Sequence, residues 1–274
     1  LVEFVLEPRL ADLIPRMARH FDEPFADSSA VPVWELCRQS VKHVTVALSG
    51  EGGDEVFCGY LPYHAHLYAD RMIRWHLAGL APALMALLKI IPASDRKTTH
   101  IYKMKRFLPH LKQDAAHRHF LWKVINDEGQ KSRLYTPAWN QAHPGLSPTV
   151  DLWEHLFKKF RRHEAVTTAA LADLSLYLPG DILTKVDISS MAHSLEVRVP
   201  LLDRRIVEYV STLPDQSKID FFRKKKPMRA AFENNRTRSI FNRPKQGFSI
   251  PAAKWLKEDL RTLFLDAVHS DSFR

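Results

Sequence analysis

The residues best suited to chemistry sit in one short run, Ser49-Gly50-Glu51-Gly52-Gly53-Asp54-Glu55. Ser49, Gly50, Gly52 and Gly53 let the backbone approach a ligand closely and turn N–H groups toward it. A helical pattern resumes at Val56, and a helix start adds the positive end of a dipole, which favours phosphate. Glu51, Asp54 and Glu55 would repel a bare phosphate. A divalent cation removes that conflict, with Mg2+ shared between a carboxylate and phosphate oxygens. Glu51 can then stay ionised among the N–H groups and accept a proton. The same residues also suit a tight turn whose acids offset the helix dipole, and the loop alone leaves both readings open.

Other chemistries lack their patterns. Ala47 and Glu51 stand where a nucleophile elbow around Ser49 would need glycines. Neither a G-x-x-x-x-G-K-[ST] phosphate loop nor a G-x-G-x-x-G following a strand occurs. Cys37 and Cys58 have no metal-ligand spacing and cannot build a disulfide framework, so a reducing compartment is expected. His64/His66 and His117/His119 are two apart, which on helices turns each pair's rings away from each other and reads as surface histidines.

The elements that must position the loop follow from periodicity. His43–Leu48 is short, β-branched and apolar on both faces, as expected of a parallel strand covered by helices on both sides. Strand, glycine loop and helix in succession form a ligand site at the carboxyl edge of a parallel sheet. Val2, Phe4 and Leu6 give a weak strand signal, and Leu10, Leu13, Ile14, Met17 and Phe21 recur with helical spacing. After the turn-rich Asp22–Ser29, Ser28 or Ser29 is expected to cap a helix starting near Pro32, with Val33, Leu36, Cys37 and Val41 buried. From 61 to about 178 the pattern is mostly helical, broken at prolines 82, 92, 109, 137 and 144, and 136–150 reads as an internal loop. Leu77–Leu88 is weakly charged but falls short of the ~20 apolar residues of a membrane span, and is expected to be a buried core helix. Asp203 can cap a helix carrying Ile206, Val207 and Val210. The chain reads as helix-rich α/β with too few strands for a complete sheet.

The 274 residues allow one large domain or two ordinary ones; 45% hydrophobic and 26% charged residues exclude a disordered or collagen-like chain. The net charge of +9 is concentrated between Lys218 and Lys245, where ten basic residues face only Asp220 and Glu233. Such a run is either a solvated basic face or an anion site, for a polyphosphate above all. It matches no helix-turn-helix, zinc-finger or RNA-recognition pattern, so a nucleic-acid-binding module is the weakest reading.

Four motifs, in order, carry a resemblance. Ser49–Tyr60 (SGEGGDEVFCGY), the preceding Asp22–Pro32 (DEPFADSSAVP), Leu178–Asp203 (LPGDILTKVDISSMAHSLEVRVPLLD) and Arg243–Pro251 (RPKQGFSIP) resemble the signatures of glutamine-dependent asparagine synthetases over nearly the whole chain. The resemblance implies part of a parallel-sheet, adenine-nucleotide alpha-hydrolase-like (ATP pyrophosphatase) fold, with residues 1–60 as the sheet-proximal nucleotide part and 61–274 as the mainly helical part. It implies a ligase that adenylates the side-chain carboxylate of aspartate with ATP and Mg2+, after which ammonia displaces AMP to form asparagine. Ser49, Gly50, Gly52 and Gly53 would hold the nucleotide, Asp54 the metal, and Glu51 would take the proton from ammonia. Lys185 would face the pyrophosphate or the developing negative charge. Asp27, Ser28 and Ser29 would line the substrate pocket, although capping the next helix explains them equally well. Asp187, Glu196 and Arg198 fit a structural role. A cytoplasmic location, an upstream glutaminase domain that supplies ammonia, no membrane partner and an open question of a homodimer complete the expectation.

Departures from the family pattern are equally specific. The upstream S-G-G-x-D-S loop and the glutaminase's N-terminal cysteine are absent, and the first residue is Leu1, so the chain is expected to be a piece of a longer protein that makes no asparagine alone. Cys58, Ile188 and the stretch 233–240 (ENNRTRSI) depart from common family residues, which keeps open a related amidotransferase acting on a sugar, lipid-linked or antibiotic-precursor carboxylate.

Overall fold

The computed structural model describes residues 10–90, 100–143, 148–243 and 250–270. The strand signal at residues 2–6 and most of the Arg243–Pro251 motif lie outside the described residues. The chain divides into two compact units.

The first unit comprises Leu1–Glu51, Leu178–Pro200 and Thr237–Arg274. Helix α1 (Leu10–Phe21) buries Leu10, Leu13, Met17 and Phe21, the i, i+3, i+7 stripe its sequence displays. That stripe packs on Ala30, Val31 and Trp34 of α2 (Ala30–Ser40). The opposite side of α2, Val33 and Cys37, packs with Val186, Leu195, Ala47 and Val197. Leu36, expected inside, is exposed; α2 is apolar around most of its circumference, so pattern alone does not choose its inner face. Ser29 does occupy the cap position, but its side chain makes no cap bond. Its hydroxyl instead donates to Asp27 Oδ2 at 2.6 Å.

Strand β1 is shorter than expected, Val46–Leu48, and pairs in parallel with β2 (Glu196–Arg198) in the register Ala47↔Val197. Only the Ala47/Val197 side packs on helices. Leu48 on the other side is 76% exposed, so among the described residues the strand is covered on one face, not two. Continuous apolarity marks a strand able to be buried on both sides; the neighbours present decide whether it is.

The second unit comprises Gly52–Tyr177 and Leu201–Arg236. Its core joins Tyr63 of α4 (Leu61–Arg74) to Phe120, Trp153, Phe157, Val166, Ala169 and Ile219. Side chains the size of Phe120, Phe157, Val166 and Ile219 each contribute about 1.5–3 kcal/mol when removed from water. The helix Arg204–Thr212 forms as expected, with Asp203 accepting the N–H of Arg205 at 2.9 Å and Val210 buried beside Val56 and Phe57. Within 136–150, Thr136 caps a short helix, Pro137–Ala142, and a longer helix starts at Thr149. The proline sits in the first turn, where its missing N–H costs nothing.

The stretch Leu77–Leu88 is a 3-10 turn followed by the helix Ala81–Ile90. It is not the buried core helix expected. Ala78, Ala81, Met85 and Leu88 pack against Leu108, Leu111 and Trp122, whereas Leu80, Leu84 and Leu87 are exposed. The helix is apolar all round, so its sequence does not say which side is covered. Among the described residues no helix is long and apolar enough to cross a membrane.

Candidate functional site

The glycine loop leaves β1 at its carboxyl end. Ser49 N–H donates to Arg198 O at 2.9 Å, which extends the parallel ladder by one step. The Glu51 N–H turns back onto Ser49 Oγ at 3.3 Å. Between Glu51 and Gly52 the chain passes from the first unit to the second. Gly52 has φ +78°, a left-handed conformation at no steric cost for glycine, and a Cβ there would lie 2.1 Å from Leu202 Cδ2. Its carbonyl accepts the N–H of Val56 at 2.8 Å and starts the one-turn helix α3 (Gly53–Val56).

Asp54 projects from α3 and pairs with Lys225, Nζ to Oδ1 2.9 Å, with both side chains largely shielded. Gly59 leaves room for that pair: a Cβ on it would lie 1.9 Å from Asp54 Oδ1 and 2.4 Å from Lys225 Cε. Lys225 itself holds φ +55°, a left-handed conformation that costs a side-chain-bearing residue about 1–2 kcal/mol. It caps the helix Lys226–Phe232, whose first turn carries Pro227.

Glu55 points the other way. It is 1% exposed and accepts the Tyr60 hydroxyl at 2.8 Å. Burial pushes its carboxyl above the usual range, against the pull of that hydrogen bond.

In the first unit, Lys185 is buried on the helix Thr184–Met191, directly after a π-helical segment, Leu178–Leu183. Such segments are rare and recur at functional sites. The Lys185 ammonium donates to Asp27 Oδ2 at 2.6 Å and to Ser29 Oγ at 2.8 Å. Burial raises the Asp27 carboxyl, but the hydrogen bonds of Lys185 and Ser29 outweigh it and hold it below the usual range. Lys185, Asp27 and Ser29, singled out separately from sequence, therefore form one cluster, while Ser28 is exposed beside it. Glu196 and Arg198 pair with each other on the surface at 2.6 Å, and Asp187 is exposed.

Sequence reasoning missed Lys225 as an individual; its only signal was membership of the basic run. That run is not one solvated face. Lys218 is buried and bonds Thr167, Lys226 pairs with Asp220 at 3.3 Å, and Arg229 with Glu233 at 2.8 Å. The histidine reading also needs correction. His66 and His119 are fully buried and meet each other at 3.1 Å, because neighbouring helices bring together rings that each point inward. His117 is partly exposed and lies 2.5 Å from Asp114 and 3.3 Å from Glu154. Cys37 and Cys58 are free and buried, and burial pushes the Cys58 thiol up to about 12.

A carboxylate is the kind of ligand Mg2+ takes, and Asp54 presents one just after the left-handed Gly52, with its Oδ1 shielded and engaged by Lys225.

Comparison with known proteins shows what the chain is similar to. The chain is 32% identical over 247 residues to asparagine synthetase [glutamine-hydrolyzing] 1 of Bacillus subtilis (strain 168), covering 90% of this chain and 37% of that protein. Asparagine synthetase [glutamine-hydrolyzing] 3 of the same strain is 27% identical over 226 residues, 81% of this chain and 29% of that one. Amidase chyE of Penicillium rubens (strain ATCC 28089 / DSM 1075 / NRRL 1951 / Wisconsin 54-1255) is 25% identical over 274 residues, 91% and 38%. The chain thus spans about a third of the length of the curated relatives it matches. No solved structure matches it. Residues 2–274 match the asparagine synthase family, and the chain belongs to that family.

Proposed function

We propose that the whole protein is an ATP-dependent, amide-forming ligase of the glutamine-hydrolysing asparagine synthetase type, and that this chain carries part of its synthetase site. The observation that carries the reading is the Asp54–Lys225 pair on a glycine turn after a parallel strand. In this reading Ser49, Gly50, Gly52 and Gly53 bring backbone N–H groups to ATP, and Asp54 would hold Mg2+. The ion supplies Lewis-acid stabilisation of phosphate charge when bound. Lys225 stands beside Asp54 to meet the charge that builds on the departing pyrophosphate. The nucleotide part then extends beyond residues 1–60, because Lys225 belongs to it.

A carboxylate oxygen of aspartate attacks the α-phosphorus, and the bond to pyrophosphate breaks. Ammonia, delivered by a glutaminase domain of the whole protein, attacks the acyl carbon, and the bond to AMP breaks. Glu51 takes the proton released from the attacking nitrogen. Lys185, held by Asp27 and Ser29 within the first unit, is the cation proposed to face developing negative charge. A second reading keeps the synthetase chemistry and changes the acceptor to a different carboxylate, in keeping with the departures at Cys58, Ile188 and 233–240.

The test uses the full-length protein with ATP, Mg2+, ammonia and aspartate, reading AMP and asparagine separately. Glu51→Gln keeps shape but loses the base, and amide formation is expected to fall about 10²–10⁴-fold. Asp54→Asn is expected to raise the Mg2+ requirement. Wild-type rates in Glu51→Gln would remove that residue from the mechanism; AMP formation that ignores aspartate but follows another carboxylate would select the second acceptor class.

A further inference from the structure

The second unit holds a buried polar cluster larger than its packing requires. Asp173, fully buried, accepts from Tyr63 Oη at 2.7 Å, Lys123 Nζ at 2.5 Å and His119 Nε2 at 3.0 Å. A carboxylate can only accept, so His119 donates from Nε2, and its Nδ1 meets His66 Nε2 3.1 Å away. Aromatic rings enclose the pair, with Trp153 at 5.0 Å from His119 and Trp122 at 5.1 Å from His66. Replacing a buried ion pair by well-packed apolar residues is often neutral or stabilising, so stability alone does not account for the cluster.

The cluster's outer end supplies one. The Lys123 ammonium lies 3.6 Å from the ring centre of Tyr177 and 5.2 Å from that of Tyr60, both within cation–π range. Tyr60 in turn donates its hydroxyl to Glu55, the residue after Asp54. Helix α3 is only four residues long and cannot hold itself, since a single turn fixes many dihedrals for very few hydrogen bonds. Its inward side chains, Glu55 and Val56, must therefore fix its rotation. Val56 meets an apolar surface that tolerates sliding, whereas Glu55 meets a directional hydroxyl from outside its own turn.

We propose that Asp173, Lys123 and Tyr60 form a positioning chain: Asp173 anchors Lys123, Lys123 holds the Tyr60 ring, and Tyr60 fixes Glu55 and so the aim of Asp54. None of the three touches a reacting atom. The inference rests on the proposed function, because aiming Asp54 matters only if that carboxylate holds a metal.

The deciding variant is Tyr60→Phe in the full-length protein, which keeps the ring beneath Lys123 and removes only the hydroxyl. Half-saturating Mg2+ for AMP formation is expected to rise about tenfold, in keeping with the loss of one hydrogen bond to a charged group. The KM for the carboxylate substrate stays within about twofold, and Tm falls by no more than a few degrees. Lys123→Met should shift the Mg2+ requirement in the same direction, but it takes from the buried Asp173 one of the groups that hold its charge and can unfold the protein, so Tyr60→Phe decides. A wild-type Mg2+ requirement in Tyr60→Phe overturns the positioning chain, whatever happens to Tm. If the wild-type protein forms AMP without any Mg2+ requirement, the reading of Asp54 falls first and the chain with it.

Discussion

Replacing Asp173 by asparagine should cost the fold more than any surface change, and the cost should depend on pH in a defined way. The side chain is fully buried and is met by Tyr63, Lys123 and His119. Burial alone would raise its carboxyl, but the charges and hydrogen bonds of His119 and Lys123 outweigh it and hold it at about 2, below the ordinary 3.8. That gap corresponds to about 2 kcal/mol of folding free energy. Because the native value is depressed, this contribution is whole above the unfolded value near 3.8 and disappears as pH falls through about 2. Asparagine also removes the charge paired with the largely buried Lys123 ammonium, and removing one member of a buried pair costs about 3–5 kcal/mol. Urea unfolding at neutral pH should therefore place Asp173→Asn about 2–5 kcal/mol below wild type with little change in slope. The difference should narrow between about pH 4 and pH 2, where the wild-type carboxylate becomes protonated. Equal midpoints at neutral pH, or a gap that stays constant through the acid range, would refute the assignment of Asp173 as a buried charge held by cations.

Two further substitutions probe the loop and a helix end. Gly52→Ala forces a Cβ to within 2.1 Å of Leu202 Cδ2 at φ +78°, so left-handed strain and overpacking together should lower stability by about 2–4 kcal/mol, read by urea unfolding. Asp114 accepts the N–H groups of Ala116 and His117 at the start of the helix Ala115–Lys123, and Asp114→Ala should cost about 1 kcal/mol in the same assay.

Some of this protein is written in its sequence because the physics involved is local. Gly52 stands where the backbone must turn left-handed, Asp203 where a helix needs an acceptor, and Leu10, Leu13, Met17 and Phe21 where one side of a helix must be dry. The run of strand, glycine loop and helix, and the order of the four motifs, needed only neighbouring residues to be recognised. Tertiary structure alone decided the partners. Nothing near Asp54 in the chain points to Lys225, and nothing near Asp173 points to Lys123 or His119, because a charge's partner is set by which helices pack together. The same holds for coverage: Leu48 and Leu87 carry the pattern of buried residues and stand exposed, since apolarity states what a surface tolerates and only the surrounding chain determines whether that surface is covered.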